Sequence, residues 1–130
     1  MPHLTIEYSA NLDGQLDVPA MIESLHGTAT AIEAFPLAGM RTRAVRREHY
    51  RVADGHPDNA YVHITLRIAH GRTLEVRQAA GETLFAAACE FLQPIYTAAP
   101  LAISFEIQEI DPVLNYKQNN LRDYLAERAA

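Results

Sequence analysis

This chain is poor in the residues that small proteins use as staples. Cys89 is the only cysteine among 130 residues, so no intrachain disulfide is possible. A reducing, cytoplasmic environment is the default for such a sequence. No stretch is long and apolar enough to span a membrane. The N-terminus lacks a basic start followed by an apolar run, so it does not read as a signal peptide. No linker or low-complexity segment divides the chain. Lysine is nearly absent: Lys117 stands alone beside ten arginines. The formal net charge of −5 argues against a nucleic-acid partner. What remains is ordinary for a globular protein, with 48% hydrophobic and 21% charged residues. The length suits a single domain over residues 1–130, able to bury about two thirds of its unfolded surface.

The apolar residues recur with two periods. Pro2, Leu4, Ile6 and Tyr8 share one strand parity, and His3, Thr5 and Glu7 share the other. Pro2 therefore lies at the end of an apolar face. After a turn-like Ser9–Gly14, Asp17 can cap a helix whose first turn tolerates Pro19. Val18, Met21, Ile22, Leu25, Ala29 and Ile32 continue it at helical spacing, and Phe35-Pro36 is predicted to close it. A second strand starts near Met40, although its alternation is weak. Ala60, Val62, Ile64, Leu66 and Ile68 then alternate with polar residues as a half-buried strand. His70-Gly71 makes a turn, and Thr73 can cap a helix running through Val76, Ala79, Ala80, Leu84, Ala87, Ala88, Phe91 and Leu92, which Pro94 is predicted to stop. Leu101, Ile103, Phe105 and Ile107 mark a last strand, broken at Asp111-Pro112. A polar segment and a short C-terminal helix follow. Two tandem β-α-β units predict an α/β (α+β) domain: a four-stranded sheet with both helices on one face, because parallel crossovers share a hand. The opposite face carries His, Thr, Arg and Glu. It can meet water or other subunits.

Met1-Pro2-His3 carries the sharpest chemical signal. Removal of the initiator methionine turns the Pro2 nitrogen into a secondary amine at the chain terminus; retention leaves it an amide without basicity. An α-amino group has a reference pKa of about 7.7–8.0. Burial lowers it by disfavouring the charged form. Such an amine can serve as a general base near neutral pH, an effect of about 10²–10⁴-fold on a rate. Arg41, Arg43, Arg46, Arg47 and Arg51 crowd one segment of an acidic protein. Arginine forks grip carboxylates in pairs of hydrogen bonds, which suggests a small anionic ligand. Basic side chains also deter pairing at a strand edge. Arg72 follows a glycine turn just before a helix start, a region that attracts negative charge. His49, His56, His63 and His70 fall every seven residues, but Gly55 and Pro57 break any helix through them, so no metal site is expected.

Several segments carry a resemblance together: Met1-Pro2-His3, Phe35-Pro36-Leu37-Ala38-Gly39-Met40-Arg41-Thr42-Arg43, Gly71 to Glu82, Ser104-Phe105-Glu106-Ile107, and Asn115-Tyr116-Lys117-Gln118-Asn119-Asn120. In this order they resemble the 5-carboxymethyl-2-hydroxymuconate isomerases, within the tautomerase superfamily that uses an N-terminal proline. The likeness spans almost the whole chain. It implies a tautomerase-like homotrimer with active sites near subunit interfaces. It implies a cofactor-free isomerase that converts 5-carboxymethyl-2-hydroxymuconate to its 2-oxo-3-ene isomer during aromatic-ring breakdown. By the same resemblance Pro2 is the proton shuttle, and Arg41 and Arg72 bind carboxylates of a small polyanionic substrate. Arg43 shares the strand parity of Arg41 and is a further substrate-binding candidate. Two alternatives stay open: a tautomerase of another 2-hydroxy or 2-oxo acid, and a non-catalytic trimeric binding protein.

Overall fold

The alternation at Ala60–Ile68 builds an inner strand. A computed structural model describes every residue from Met1 to Ala130. In it β3 (Ala60–Ala69) lies beside β1 (His3–Ser9) at the middle of a four-stranded sheet ordered β2-β1-β3-β4. Strand β2 (Arg41–Arg47) runs parallel to β1, and β4 (Leu101–Ile110) runs parallel to β3. The central pair β1–β3 is antiparallel. Each parallel pair is therefore one β-α-β unit, crossed by α1 (Val18–Thr30) in the first and α2 (Leu74–Ala98) in the second. At the start of each pair a proline carbonyl accepts the first N–H of the neighbouring strand. Pro2 accepts from Arg41 at 3.1 Å, and Pro100 accepts from Ala60 at 3.3 Å.

Both helices pack on one face, as the periodicity predicts. Leu4, Ile6 and Tyr8 meet Val62, Ile64, Leu66 and Ile68 beneath them, all buried. Met21, Leu25 and Ala29 of α1 and Ala80, Leu84, Ala88 and Leu92 of α2 recur at four-residue intervals and close the core. Small residues alternate with leucines, which lets the helices sit close to the sheet. Truncating Leu84 to alanine in such a core costs about 2–5 kcal/mol. The expected caps are present: the Asp17 carboxylate accepts from the Ala20 N–H at 3.0 Å, and the Thr73 hydroxyl from the Val76 N–H at 3.2 Å.

Three boundaries differ from expectation. Helix α1 ends at Thr30, ahead of Phe35-Pro36. The chain tightens there into two three-residue turns, Ile32 N–H to Ala29 C=O and Phe35 N–H to Ile32 C=O, which swing Phe35 into the core. Helix α2 passes through Pro94 and ends at Ala98. Pro94 lies on the exposed side of the helix, while Leu92 and Ile95 still pack inward. Strand β1 starts at His3, one residue past Pro2. The weak alternation of β2 also has a cause. Its helix-side positions include Thr42 and Arg46, which find partners in His26 (2.8 Å) and Asp13 (2.6 Å).

The other sheet face carries no helix. The registers line up Arg41, Arg43 and Arg47 of β2, His3, Thr5 and Glu7 of β1, His63 and Arg67 of β3, and Ser104 and Glu106 of β4 upon it. A short helix, α3 (Leu121–Ala129), ends the chain against the turn at Leu37–Gly39. No helix is long and apolar enough to cross a membrane.

Candidate active site

The antiparallel centre decides what gathers at each end of the sheet. The start of β1 lies beside the start of β2 and the end of β3, so His3 pairs with both Arg41 and Arg67. The turn after β3 brings Arg72 to this end, and the segment after β4 returns to it as well. Pro2, Arg41, Arg72 and Lys117 thus converge from four separate stretches of sequence.

Pro2 is buried, and its carbonyl is held by the Arg41 N–H. Gly39 lies beside it. A Cβ at Gly39 would meet the Pro2 ring Cδ at 3.4 Å and the Met1 Cα at 3.5 Å, in van der Waals contact with both. Pro36 and Ala38 join Gly39, Met1, Lys117 and Asn119 in walling a cleft of about 450 Å³. The Met1 amine is half-exposed in it. Burial holds this amine below its ordinary pKa, and the charges of Lys117, Arg72 and Arg41 push the same way. With Met1 in place, its amine marks where positive charge is disfavoured, one residue ahead of the Pro2 nitrogen.

Arg72 is clamped from two sides. It follows Gly71, whose φ of +117° turns the chain out of β3. Its guanidinium donates to the Ala34 carbonyl at 2.7 Å and the Ala69 carbonyl at 3.3 Å, and lies 5.4 Å from the centre of the Phe35 ring. The early end of α1 matters here, because the turns that follow it present both Ala34 and Phe35. Arg41 donates to the Gly39 carbonyl at 3.3 Å, folding back toward Met1. Neither arginine has an acidic partner within ion-pair distance, and both keep donors free. Arg43 lies two residues further along the open face and meets His3, Nη1 to Nδ1 at 3.1 Å. Burial, then Arg43 and Arg41, hold His3 below its ordinary pKa, so it faces Arg43 as a neutral acceptor.

Lys117 and Asn119 lie in the Asn115–Asn120 run that carries part of the resemblance, but the sequence reading gave neither a site role. Asn119 Nδ2 donates to the Ala38 carbonyl at 2.9 Å across 81 residues of chain, which ties the polar tail to the turn that packs on Pro2. The available signal was compositional: the only lysine sits in an asparagine-rich run. The evenly spaced histidines scatter. His49 and His56 lie in the β2–β3 loop, His70 in a turn, and His63 on the open face against Ser104 at 2.6 Å. A larger groove of about 630 Å³ runs between α2 and β4, but its Arg77 is already paired with Glu109 at 3.4 Å. Glu82 and Glu106 also line it, and it holds no unpaired cation.

A mixed β2-β1-β3-β4 sheet with two crossover helices on one face, and a chain start set among cations, defines a tautomerase-like protein. Residues 2–125 match the family model for 5-carboxymethyl-2-hydroxymuconate isomerase, and the chain belongs to that family. It is 43% identical over 121 residues to a 5-carboxymethyl-2-hydroxymuconate Delta-isomerase from Escherichia coli, covering 93% of this chain and 96% of the relative. The crystal structure of a 5-carboxymethyl-2-hydroxymuconate isomerase from Deinococcus radiodurans R1 superposes with a TM-score of 0.89 at 35% identity, over 95% of this chain and 93% of that one. A more distant structure, a fused 4-OT wild type symmetric trimer, shares the fold with a TM-score of 0.62 at 18% identity, over 91% and 94% of the two chains.

Proposed function

We propose that this chain is a cofactor-free isomerase that converts 5-carboxymethyl-2-hydroxymuconate to its 2-oxo-3-ene isomer, with the Pro2 amine as proton shuttle once Met1 is removed. The observation that carries the reading is a chain-start amine set among Arg41, Arg72 and Lys117 with its basicity lowered by burial and by their charge. Removing Met1 exposes a nitrogen deeper than the Met1 amine, because Pro2 is buried where Met1 is only partly so. The Pro2 amine is then neutral in a larger share of molecules at pH 7 than a free terminus.

The reaction moves one proton and no electrons. The Pro2 nitrogen takes the proton from the 2-hydroxyl. The oxygen lone pair forms the C2 carbonyl, the C2–C3 double bond moves to C3–C4, and the former C4–C5 pair accepts a proton at C5. The same proline ammonium supplies that proton, so the base is regenerated. Arg41 and Arg72 bind carboxylates of the substrate and stabilise negative charge that spreads onto the C2 oxygen in the dienolate-like transition state. Their backbone-carbonyl and aromatic clamps favour this, since a fixed donor reorganises little during reaction. Arg43 is the more remote contact, supporting the site through His3.

The working unit is a homotrimer. The helix-free sheet face, with Glu7, Arg47, His63 and Glu106 set for polar contacts, supports packing against further copies, and the fused 4-OT neighbour is a symmetric trimer. Protein whose intact mass shows Met1 removed should convert 5-carboxymethyl-2-hydroxymuconate, followed by ultraviolet absorbance, far above the spontaneous rate. Conversion no faster than in buffer sinks the reading.

A further inference from the structure

We propose that Lys117 is a specificity-determining residue that binds the carboxymethyl carboxylate of the substrate, so that the tail 111–120 forms a wall of the active site. The inference rests on the isomerase reading and deepens it. A 5-carboxymethyl-2-hydroxymuconate carries three carboxylates, two on the conjugated muconate chain and one on a saturated methylene tether. At the cleft end of the sheet Arg41, Arg43, Arg67, Arg72, Lys117 and Arg122 all stand outside the ion pairs of the molecule, and among them Lys117, Arg72 and Arg41 are the three whose charge acts on the chain-start amine.

The placement of Lys117 is built, not incidental to a loose tail. The Asp111 carboxylate accepts the N–H groups of Val113 and Leu114, both at 2.8 Å, and starts the return of the chain. Asn119 finishes it. Its amide donates to the Ala38 carbonyl at 2.9 Å, and its Oδ1 accepts the Leu121 N–H at 2.8 Å at the start of α3. One side chain thus fixes the tail to the Leu37–Gly39 turn and opens the helix that packs there. Lys117, two residues earlier, lines the same cleft as Met1 and Gly39. Arg122 and Asp123 line it too, adding one charge of each sign, which leaves the net positive contribution of the tail to Lys117.

Residue chemistry assigns the partner. The two arginines are rigid forks, held by carbonyls, and suit the planar ends of a conjugated diene diacid. Lysine is a compact charge on a flexible four-carbon stem. It suits a carboxylate that swings on a methylene, whose position no conjugation fixes.

The test compares wild type, Lys117→Met and Lys117→Arg on two substrates, 5-carboxymethyl-2-hydroxymuconate and 2-hydroxymuconate, which lacks the tether. Loss of one charge-assisted contact should lower kcat/KM for the tricarboxylate by about 10- to 100-fold, mainly through KM. The loss on 2-hydroxymuconate, which keeps only the effect of the charge on the amine, should be at least about 5-fold smaller than on the tricarboxylate, and Lys117→Arg should restore most of the loss on both. Equal loss on both substrates, or no loss on either, overturns the assignment. Wild type inactive on both substrates would fail the isomerase reading instead. The subsite is then read by calorimetric binding of tricarballylate and glutarate, which have three and two carboxylates. Preference for tricarballylate that disappears in Lys117→Met upholds the anion subsite, and unchanged preference overturns it.

Discussion

The two ends of the sheet treat basic side chains in opposite ways. At the end where β1 and β2 finish, Arg46 meets Asp13 at 2.6 Å and Glu48 at 3.0 Å, and Arg47 meets Glu7 at 3.6 Å. At the end where they begin, Arg41 and Arg72 hold only backbone carbonyls and the Phe35 ring, Arg43 holds an imidazole, and Lys117 has no acidic partner. Within the arginine cluster of residues 41–51, Arg46 and Arg47 are ion-paired, Arg41 and Arg43 are not, and Arg51, in the loop beyond β2, holds only the Asp54 carbonyl at 3.0 Å. Pairing, not charge, separates them. A cation with its carboxylate in place is finished, and one held by carbonyls is oriented but still free to take an anion.

The sharpest way to break this contrast is to remove the group that the unpaired end surrounds. Pro2→Ala, made without Met1, should keep the oligomeric state and lose about 10²-fold or more in kcat, measured by ultraviolet absorbance beside light scattering. Wild-type turnover would remove Pro2 from the mechanism. Next in size, Arg72→Ala should lower kcat/KM by about 10- to 100-fold. A rise confined to KM would show equal binding of substrate and transition state, and an unchanged kcat/KM would end its role. The pH profile sharpens the electrostatic side. The cations and burial lower the amine pKa, so kcat/KM should climb with rising pH through a midpoint below the ordinary amine value and then level off. Lys117→Met removes one of those charges and should move the midpoint upward; a shift downward contradicts the arrangement. The smallest effect belongs to the paired end. Arg46→Ala should leave kcat/KM within about 2-fold, because exposed ion pairs contribute little. Its mark should appear in acid unfolding. Asp13 is held below the usual carboxylate range chiefly by its hydrogen bonds to Arg46. That stability is present above the unfolded carboxylate pKa and fades as pH falls through the folded one, so the variant should lose part of this acid-side dependence.

Most of the fold was legible because burial follows local periodicity. The alternation of β3 and the four-residue spacing in α2 record which side of the chain meets the core. Pro94 misled because it sits on the exposed side of α2, where the packing of Leu92 and Ile95 on the core carries the helix past it. Phe35-Pro36 misled because α1 gives way to tight turns that serve Phe35 and, through it, Arg72. Within the site, Pro2, Arg41 and Arg72 stood out by position in recognisable motifs. Lys117 lay in one too, but nothing there gave it a role. The tail 111–120 has no period, and its course depends on one side-chain contact, Asn119 to Ala38, between segments far apart in sequence.

The proline carbonyls that open the two parallel pairs lead to a final point. Pro2 and Pro100 play like parts in the ladder, each receiving the first N–H of an adjoining strand. Trimming a single residue can liberate the nitrogen of Pro2, whereas Pro100 is locked between Ala99 and Leu101 in an unbroken backbone. Doubling the β-α-β plan doubles the scaffold without doubling the reactive group. On the mechanism proposed above, a subunit of this design carries one proton-transfer centre, and more sites come from adding subunits.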